Sequence, residues 1–130
     1  MTQNQKLSLS NYKRAAELYE QECTSGNHSS CYGIAILYDK GNGVVQNDKT
    51  AFSFFLKSFG MQKKVCDGGN AKECSGVGHS YEFGQGVAQR KEKAAKYFRM
   101  ACDNGDAFGC KKNRIKTNNY EQFFQLLISG

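Results

Sequence analysis

The chain has 130 residues, the size of one domain. An apolar fraction of 39% with 23% charged residues suits a globular chain and excludes a disordered one. No apolar run approaches the roughly 18 residues of a membrane-spanning helix. No basic segment followed by an apolar run stands at 1–10, so no signal peptide is expected in this chain. Proline and tryptophan are absent, which favours unbroken helices joined by glycine turns. The net charge of +6 is concentrated between Lys57 and Lys116, where 13 Lys/Arg face 6 Asp/Glu. These lysines are interleaved with acids at helical spacing, as in Lys91-Glu92-Lys93, so a solvated helix face is expected there. No strand pattern carries the stacking aromatics of an RNA-binding sheet, and no specific nucleic-acid partner is expected.

In chain order, the first predicted element is an amphipathic helix over Asn11–Thr24. It has Ala15, Leu18, Tyr19 and Cys23 at steps of three and four, a cap at Ser10 or Asn11, and a left-handed end at Gly26. A second helix, Ser29–Lys40, carries Cys31, Ile34, Ala35 and Tyr38 on one stripe. The Gly41-Asn42-Gly43 turn stops it, and Val44 is expected to tuck back against the core. A long helix over Asp48–Asp67, a short one over Ala71–Phe83 and another over Lys91–Asn104 follow, and a third short helix starts near Asp106. Tyr120, Phe123, Phe124, Leu127 and Ile128 form a last apolar stripe. A helix at about 119–129 is therefore expected to cover the open end of a repeat stack, with partner binding as its alternative use.

The six cysteines fall as three C-x7-C pairs, each with a glycine three residues after the first cysteine: Gly26, Gly69 and Gly105. A threefold recurrence in one local setting predicts three local disulfides, Cys23–Cys31, Cys66–Cys74 and Cys102–Cys110. Zinc sites use shorter cysteine spacings, so no metal is expected. Each bridge closes a nine-residue loop, worth about 2–3 kcal/mol in the chain-entropy model, and such bridges belong to an oxidising compartment. The chain is also self-similar. Tyr38, Gly41, Gly43, Val44, Ala51 and Phe55 recur 43 residues later as Tyr81, Gly84, Gly86, Val87, Ala94 and Phe98. From Cys66 to Cys102 the period is 36, because Gly60–Cys66 adds seven residues to the first unit. Seven residues make almost two helical turns, so the long helix can absorb them with Phe59 and Cys66 both facing inward. A loop at Gly60 is the alternative.

The segments 15–44 (AAELYEQECTSGNHSSCYGIAILYDKGNGV), 66–87 (CDGGNAKECSGVGHSYEFGQGV) and 93–110 (KAAKYFRMACDNGDAFGC) resemble Sel-one-like repeats. Those repeats form an α/α solenoid related to tetratricopeptide repeats. The cysteine pairs make the chain similar to the Helicobacter cysteine-rich protein family. Phe59 in a cysteine position, the seven-residue insertion, and Asn113 and Arg114 in place of Leu and Gly depart from that pattern. The resemblance implies an all-α superhelix of disulfide-linked helix pairs with a concave groove. As one domain over 1–130, it would hold about two and a half repeats over 11–116. It also implies export to the periplasm or exterior and a protein or peptide partner. Some members bind or slowly hydrolyse β-lactams. A weak penicillin-binding or β-lactam-hydrolysing activity, implied by the resemblance alone, is the first competing expectation and a cytoplasmic adapter with reduced cysteines the second; a monomer without cofactors is expected.

If the short helices line a groove, as the resemblance implies, their second stripe faces the partner. It lies about 110° from the packing stripe and comprises Tyr32, Ile36 and Asp39, then Ser75, His79 and Glu82, then Lys111 and Ile115. Tyr32 is the expected apolar anchor, and a solvated face without ligand is the alternative. Catalysis finds little support. Ser10-Asn11-Tyr12-Lys13 fits S-x-x-K, but Lys116-Thr117-Asn118 lacks the glycine of K-T-G and no S-D-N follows. His28 is expected in a solvated turn. His79 has no nucleophile and orienting acid at a matching spacing, and oxidised cysteines are not nucleophiles.

Overall fold

The computed structural model describes residues 2–113, and among these every regular element is helical. The helices are α1 (Gln3–Thr24), α2 (His28–Lys40), α3 (Asp48–Asp67), α4 (Ala71–Phe83) and α5 (Lys91–Asp103). Residues 107–113 form a further helical segment, α6. The expected cap at about 119–129 lies outside the described residues.

Helix α1 starts eight residues before the expected Asn11. The cause is a capping box at Thr2, whose hydroxyl accepts from the Gln5 amide at 3.2 Å while Gln5 Oε1 accepts from the Thr2 amide at 2.9 Å. Ser10 and Asn11 therefore stand mid-helix and exposed, and neither caps. The seven-residue insertion is helical throughout. Phe59 and Cys66 are both buried, as two further turns of α3 require.

Three copies of one junction join one helix to the next, α1 to α2, α3 to α4 and α5 to α6. After each first cysteine a glycine takes a left-handed conformation: Gly26 (φ 100°), Gly69 (103°) and Gly105 (96°). The next residue caps the following helix: Asn27 accepts from the Ser30 amide, Asn70 from Glu73 and Asp106 from Gly109. The second cysteine then lies one turn inside that helix. Cα–Cα distances are 4.6, 4.7 and 4.3 Å for Cys23–Cys31, Cys66–Cys74 and Cys102–Cys110. No cysteine is free.

The chain forms two compact units. In the first, residues 1–61 with Gln85–Val87, Ala16, Ile34 and Leu37 make one core cluster and Ala35, Ala51 and Phe55 another. Val44 packs against the former, as its place after the turn suggests. Tyr38 stacks on Phe54 with ring centroids 5.9 Å apart. In the second unit, Gln62–Gly84 with Ala88 onward, Val77, Tyr81, Ala94, Tyr97, Phe98 and Ala101 are buried. Gly78 lies directly under the Phe98 ring, and Tyr81 stacks on Tyr97 at 5.7 Å.

The loops after the short helices share their closing hydrogen bonds, although Asn47 caps α3 through its side chain whereas Arg90 makes no such cap on α5. Gly41 and Gly84 end α2 and α4 in left-handed conformations. The amide of Asn47 reaches Tyr38 O at 3.0 Å, and that of Arg90 reaches Tyr81 O at 2.9 Å. Gln46 and Gln89 donate their side-chain amides to the carbonyls of Asp39 and Glu82. Between these bonds Gly43 (φ 76°) lies on the α1 backbone, where a methyl group would come within 2.5 Å of the Tyr12 carbonyl carbon. Gly86 (φ 74°) makes the same approach to Phe55 and Leu56 on α3. Glycine is required twice over here, by torsion and by space. Gly26 meets only the torsional demand, since nothing lies within 4 Å of its would-be Cβ. Gly26→Ala should therefore cost about 1 kcal/mol, the left-handed penalty alone. Gly43→Ala and Gly86→Ala should each cost at least twice as much, read as shifts in urea midpoint. Equal losses at all three positions would show that the close backbone approach contributes nothing.

Candidate functional site

On α2 the predicted face begins with Tyr32 and Ile36, both half-buried against the Ala35, Ala51 and Phe55 cluster. The Tyr32 ring meets Phe55 edge-on at 5.4 Å. Tyr32 is thus part of the α2–α3 packing, with only one side turned outward. Asp39 is exposed at the end of the helix. His28 is the first residue of α2 and half-buried, not in a solvated turn; its carbonyl accepts from Ser58 Oγ at 2.9 Å.

The second unit carries more chemistry. Ser75 is buried, and its hydroxyl donates to the Asp106 carboxylate. That carboxylate also receives the Gly109 amide at 2.9 Å, so Ser75 helps to fix the start of α6. His79 and Glu82 are half-buried on α4, and the His79 ring lies 4.7 Å from Phe83. Glu82 accepts from Lys112 Nζ on α6 at 2.8 Å. The same ammonium stands 5.8–5.9 Å from the ring centres of Phe83, Phe98 and Phe108. Phe98 is buried, whereas Phe83 is 56% and Phe108 47% exposed. The result is an aromatic surface patch fixed by one half-buried ion pair. Lys111 is exposed next to it, and Ile115 lies outside the described residues.

The structure thus brings His79 and Glu82 together and adds Phe83, Phe108 and Lys112, which the stripe argument missed. Helical spacing already held the signal for two of them, since Phe108 and Lys112 are four residues apart and lie on one face of α6. The S-x-x-K residues Ser10 and Lys13 are both exposed on α1. Among the described residues no group of His, Cys, Asp and Glu is placed to hold a metal ion, and no helix is long and apolar enough to cross a membrane.

Residues 1–21, 28–59 and 74–106 match the family model of the Sel1 repeat. The chain belongs to the Sel1 repeat family. The second match runs from α2 into α3 and the third from α4 through α5, whereas the first covers α1 alone. Sel1 repeats are helical scaffolds of the protein-interaction type, and this one carries three disulfides that link helix to helix. Similar solved structures include a Sel1 repeat protein from Oxalobacter formigenes, with 17% identity over 75% of this chain and a TM-score of 0.40. A second is c5321, a protective antigen of uropathogenic Escherichia coli strains displaying an SLR fold, with 19% identity over 75% and a TM-score of 0.41. A third is cysteine rich protein B of Helicobacter pylori, with 20% identity over 82% and a TM-score of 0.44. The match spans 51% of the Oxalobacter protein, 27% of the E. coli antigen and 92% of the Helicobacter protein. No curated protein matches the chain.

Within this Sel1 repeat, burial holds the His79 imidazole below its ordinary value of 6.5; Glu82 pulls it back up and the Lys112 ammonium adds to the depression. As pH falls, the unfolded chain therefore takes up this proton before the folded His79 does. Its share of stability is full above 6.5, declines as pH drops through that value, and levels off below the folded pKa. The denaturation midpoint should fall between about pH 7.5 and pH 5.5, with a smaller fall in His79→Gln. Equal falls in both proteins would assign the pH dependence to other groups.

Proposed function

We propose that the chain is a non-catalytic, protein- or peptide-binding repeat scaffold that works outside the cytoplasm. In this reading each unit offers the outward face of its own short helices, α2 in the first and α4 with α6 in the second. Ile36 and Asp39 stand on that face of α2 with Tyr32 beneath them, and His79, Glu82 and Lys111 on that of α4 and α6 with Ser75 beneath them; Ile115, the last residue of the expected stripe, lies outside the described residues.

The observation that carries the reading is the patch on the second unit. Phe83 and Phe108 are large aromatic side chains held near solvent around the Glu82–Lys112 pair. Exposed aromatics set among ordered charges are what a peptide anchor needs, since binding then costs little side-chain entropy. Export is supported by the disulfides: six cysteines, all paired in three nine-residue loops, suit an oxidising compartment.

A photo-crosslinking phenylalanine analogue at position 83, in cells that make the protein, should give discrete adducts. Phe108→Ala and Lys112→Glu should remove them without moving the thermal midpoint by more than a few degrees. Adducts of the same pattern from exposed position 14, or none at all, would overturn the assignment of the patch. Alkylation of unreduced protein taken directly from those cells should label no cysteine. Six labelled thiols would overturn the extracytoplasmic reading and favour a cytoplasmic adapter.

A further inference from the structure

From the N-cap of α5 onward, Arg90, Lys93, Lys96 and Arg99 follow one another at steps of three, and all four are exposed. The corresponding row 43 residues earlier is Asn47, Thr50, Ser53 and Leu56, without a charge. Over 90–99 five bases stand against Glu92 alone, whereas over 47–56 Lys49 is balanced by Asp48. The packing beneath does not demand these cations. Lys93 and Lys96 stand 5.6 and 5.8 Å from the ring centres of Tyr81 and Tyr97, which stack at 5.7 Å. In the first unit Tyr38 and Phe54 stack at 5.9 Å with Thr50 and Ser53 in the places of the lysines.

The acids beside the row are Glu92 and Asp103, one turn from Lys96 and Arg99, and exposed pairs at that spacing are weak. Lys63 of α3, within electrostatic reach of the Tyr97 phenol, is paired with Asp67 at 3.1 Å and adds no net charge. Side chains three apart on a helix stand about 5–6 Å from one another, close to the roughly 6.6 Å between alternate side chains of an extended chain. We infer that the Arg90–Arg99 row docks an acidic, extended segment of a protein partner, with carboxylates at alternate positions. This rests on the reading of the chain as a protein-binding scaffold and gives a partner its charge and stride. A bilayer fits the row poorly. Between Ala88 and Asp106 no large apolar side chain is exposed, whereas interfacial helices insert Trp, Phe or Leu. A nucleic-acid strand stacks its bases on open aromatic faces, and Tyr81 and Tyr97 are buried.

Fluorescence anisotropy of a labelled peptide of four Glu-Ser repeats, titrated with the full chain at low salt, tests this. Lys93→Ser with Lys96→Ser should weaken binding at least about tenfold, while Lys93→Arg with Lys96→Arg should keep it. The charge-matched pair Lys6→Ser with Lys13→Ser, on α1, should change it less than about twofold. Circular dichroism melts of the same proteins separate loss of binding from loss of fold, and the arginine pair does so independently. Phe108→Ala should leave the peptide bound while it removes the crosslinks at position 83, so the row and the aromatic patch can fail separately. A peptide that does not bind overturns the proposal, as do equal losses from the two serine pairs or a loss in Phe108→Ala. So does tighter binding to phosphatidylglycerol vesicles or a short DNA duplex that depends on Lys93 and Lys96, which would give the row to a lipid surface or to nucleic acid.

Discussion

Everything in this structure hangs on the nine-residue junction that a disulfide closes. Within it a helix ends, the chain reverses through a left-handed glycine, a side-chain cap starts the next helix, and the second cysteine returns to the first. Each step prepares the following one. The glycine turns the chain without strain, the Asn or Asp cap fixes the direction of departure, and that direction brings the two sulfurs together. Four of the six cysteines are almost fully buried, Cys102 and Cys110 being the partly exposed pair. The bridge thus fills core volume as well as restricting the unfolded chain. A chain this short buries a limited core, and these junctions stand in for the packing a larger domain would have.

Most of this organisation was legible in the residues. Cysteine spacing announced the junctions, and the recurring Tyr, Gly-x-Gly-Val, Ala and Phe positions announced the helix pairs. The boundaries of α3 and α4 were readable because charge, cap and glycine all point the same way there. The start of α1 was not, because Ser10 and Asn11 look like caps and only the pair Thr2–Gln5 outweighs them. The junction caps Asn27, Asn70 and Asp106 recur as plainly as the cysteines beside them, yet they become meaningful only once the following helix is known to begin there.

The candidate site was legible in part. A stripe drawn on each short helix finds His79 and Glu82, but it cannot know that Ser75 turns to Asp106 or that Tyr32 leans on Phe55. Those are contacts between elements, made by side chains distant in sequence. The Lys112 ammonium among three phenylalanines belongs to the same class. Comparison of the two short helices shows how freely such a scaffold changes its outward chemistry. Tyr32, Ile36 and Asp39 occupy the register of Ser75, His79 and Glu82, while the loop bonds after both helices stay the same.

The turn glycines set a ruler along the fold. With Gly43 and Gly86 pressed onto the backbones of α1 and α3, the loop after each short helix has no slack, and a residue added there would lift it from its seat. Length can change only inside a long helix, and there only in certain quanta. Seven residues rotate the following cysteine by about 20°, whereas five would swing it about 140° away from its partner. Repeats of this kind can therefore drift in length over evolution in steps of about two turns, with intermediate lengths lost because the bridge cannot form. The seven-residue extension of α3 is one such step.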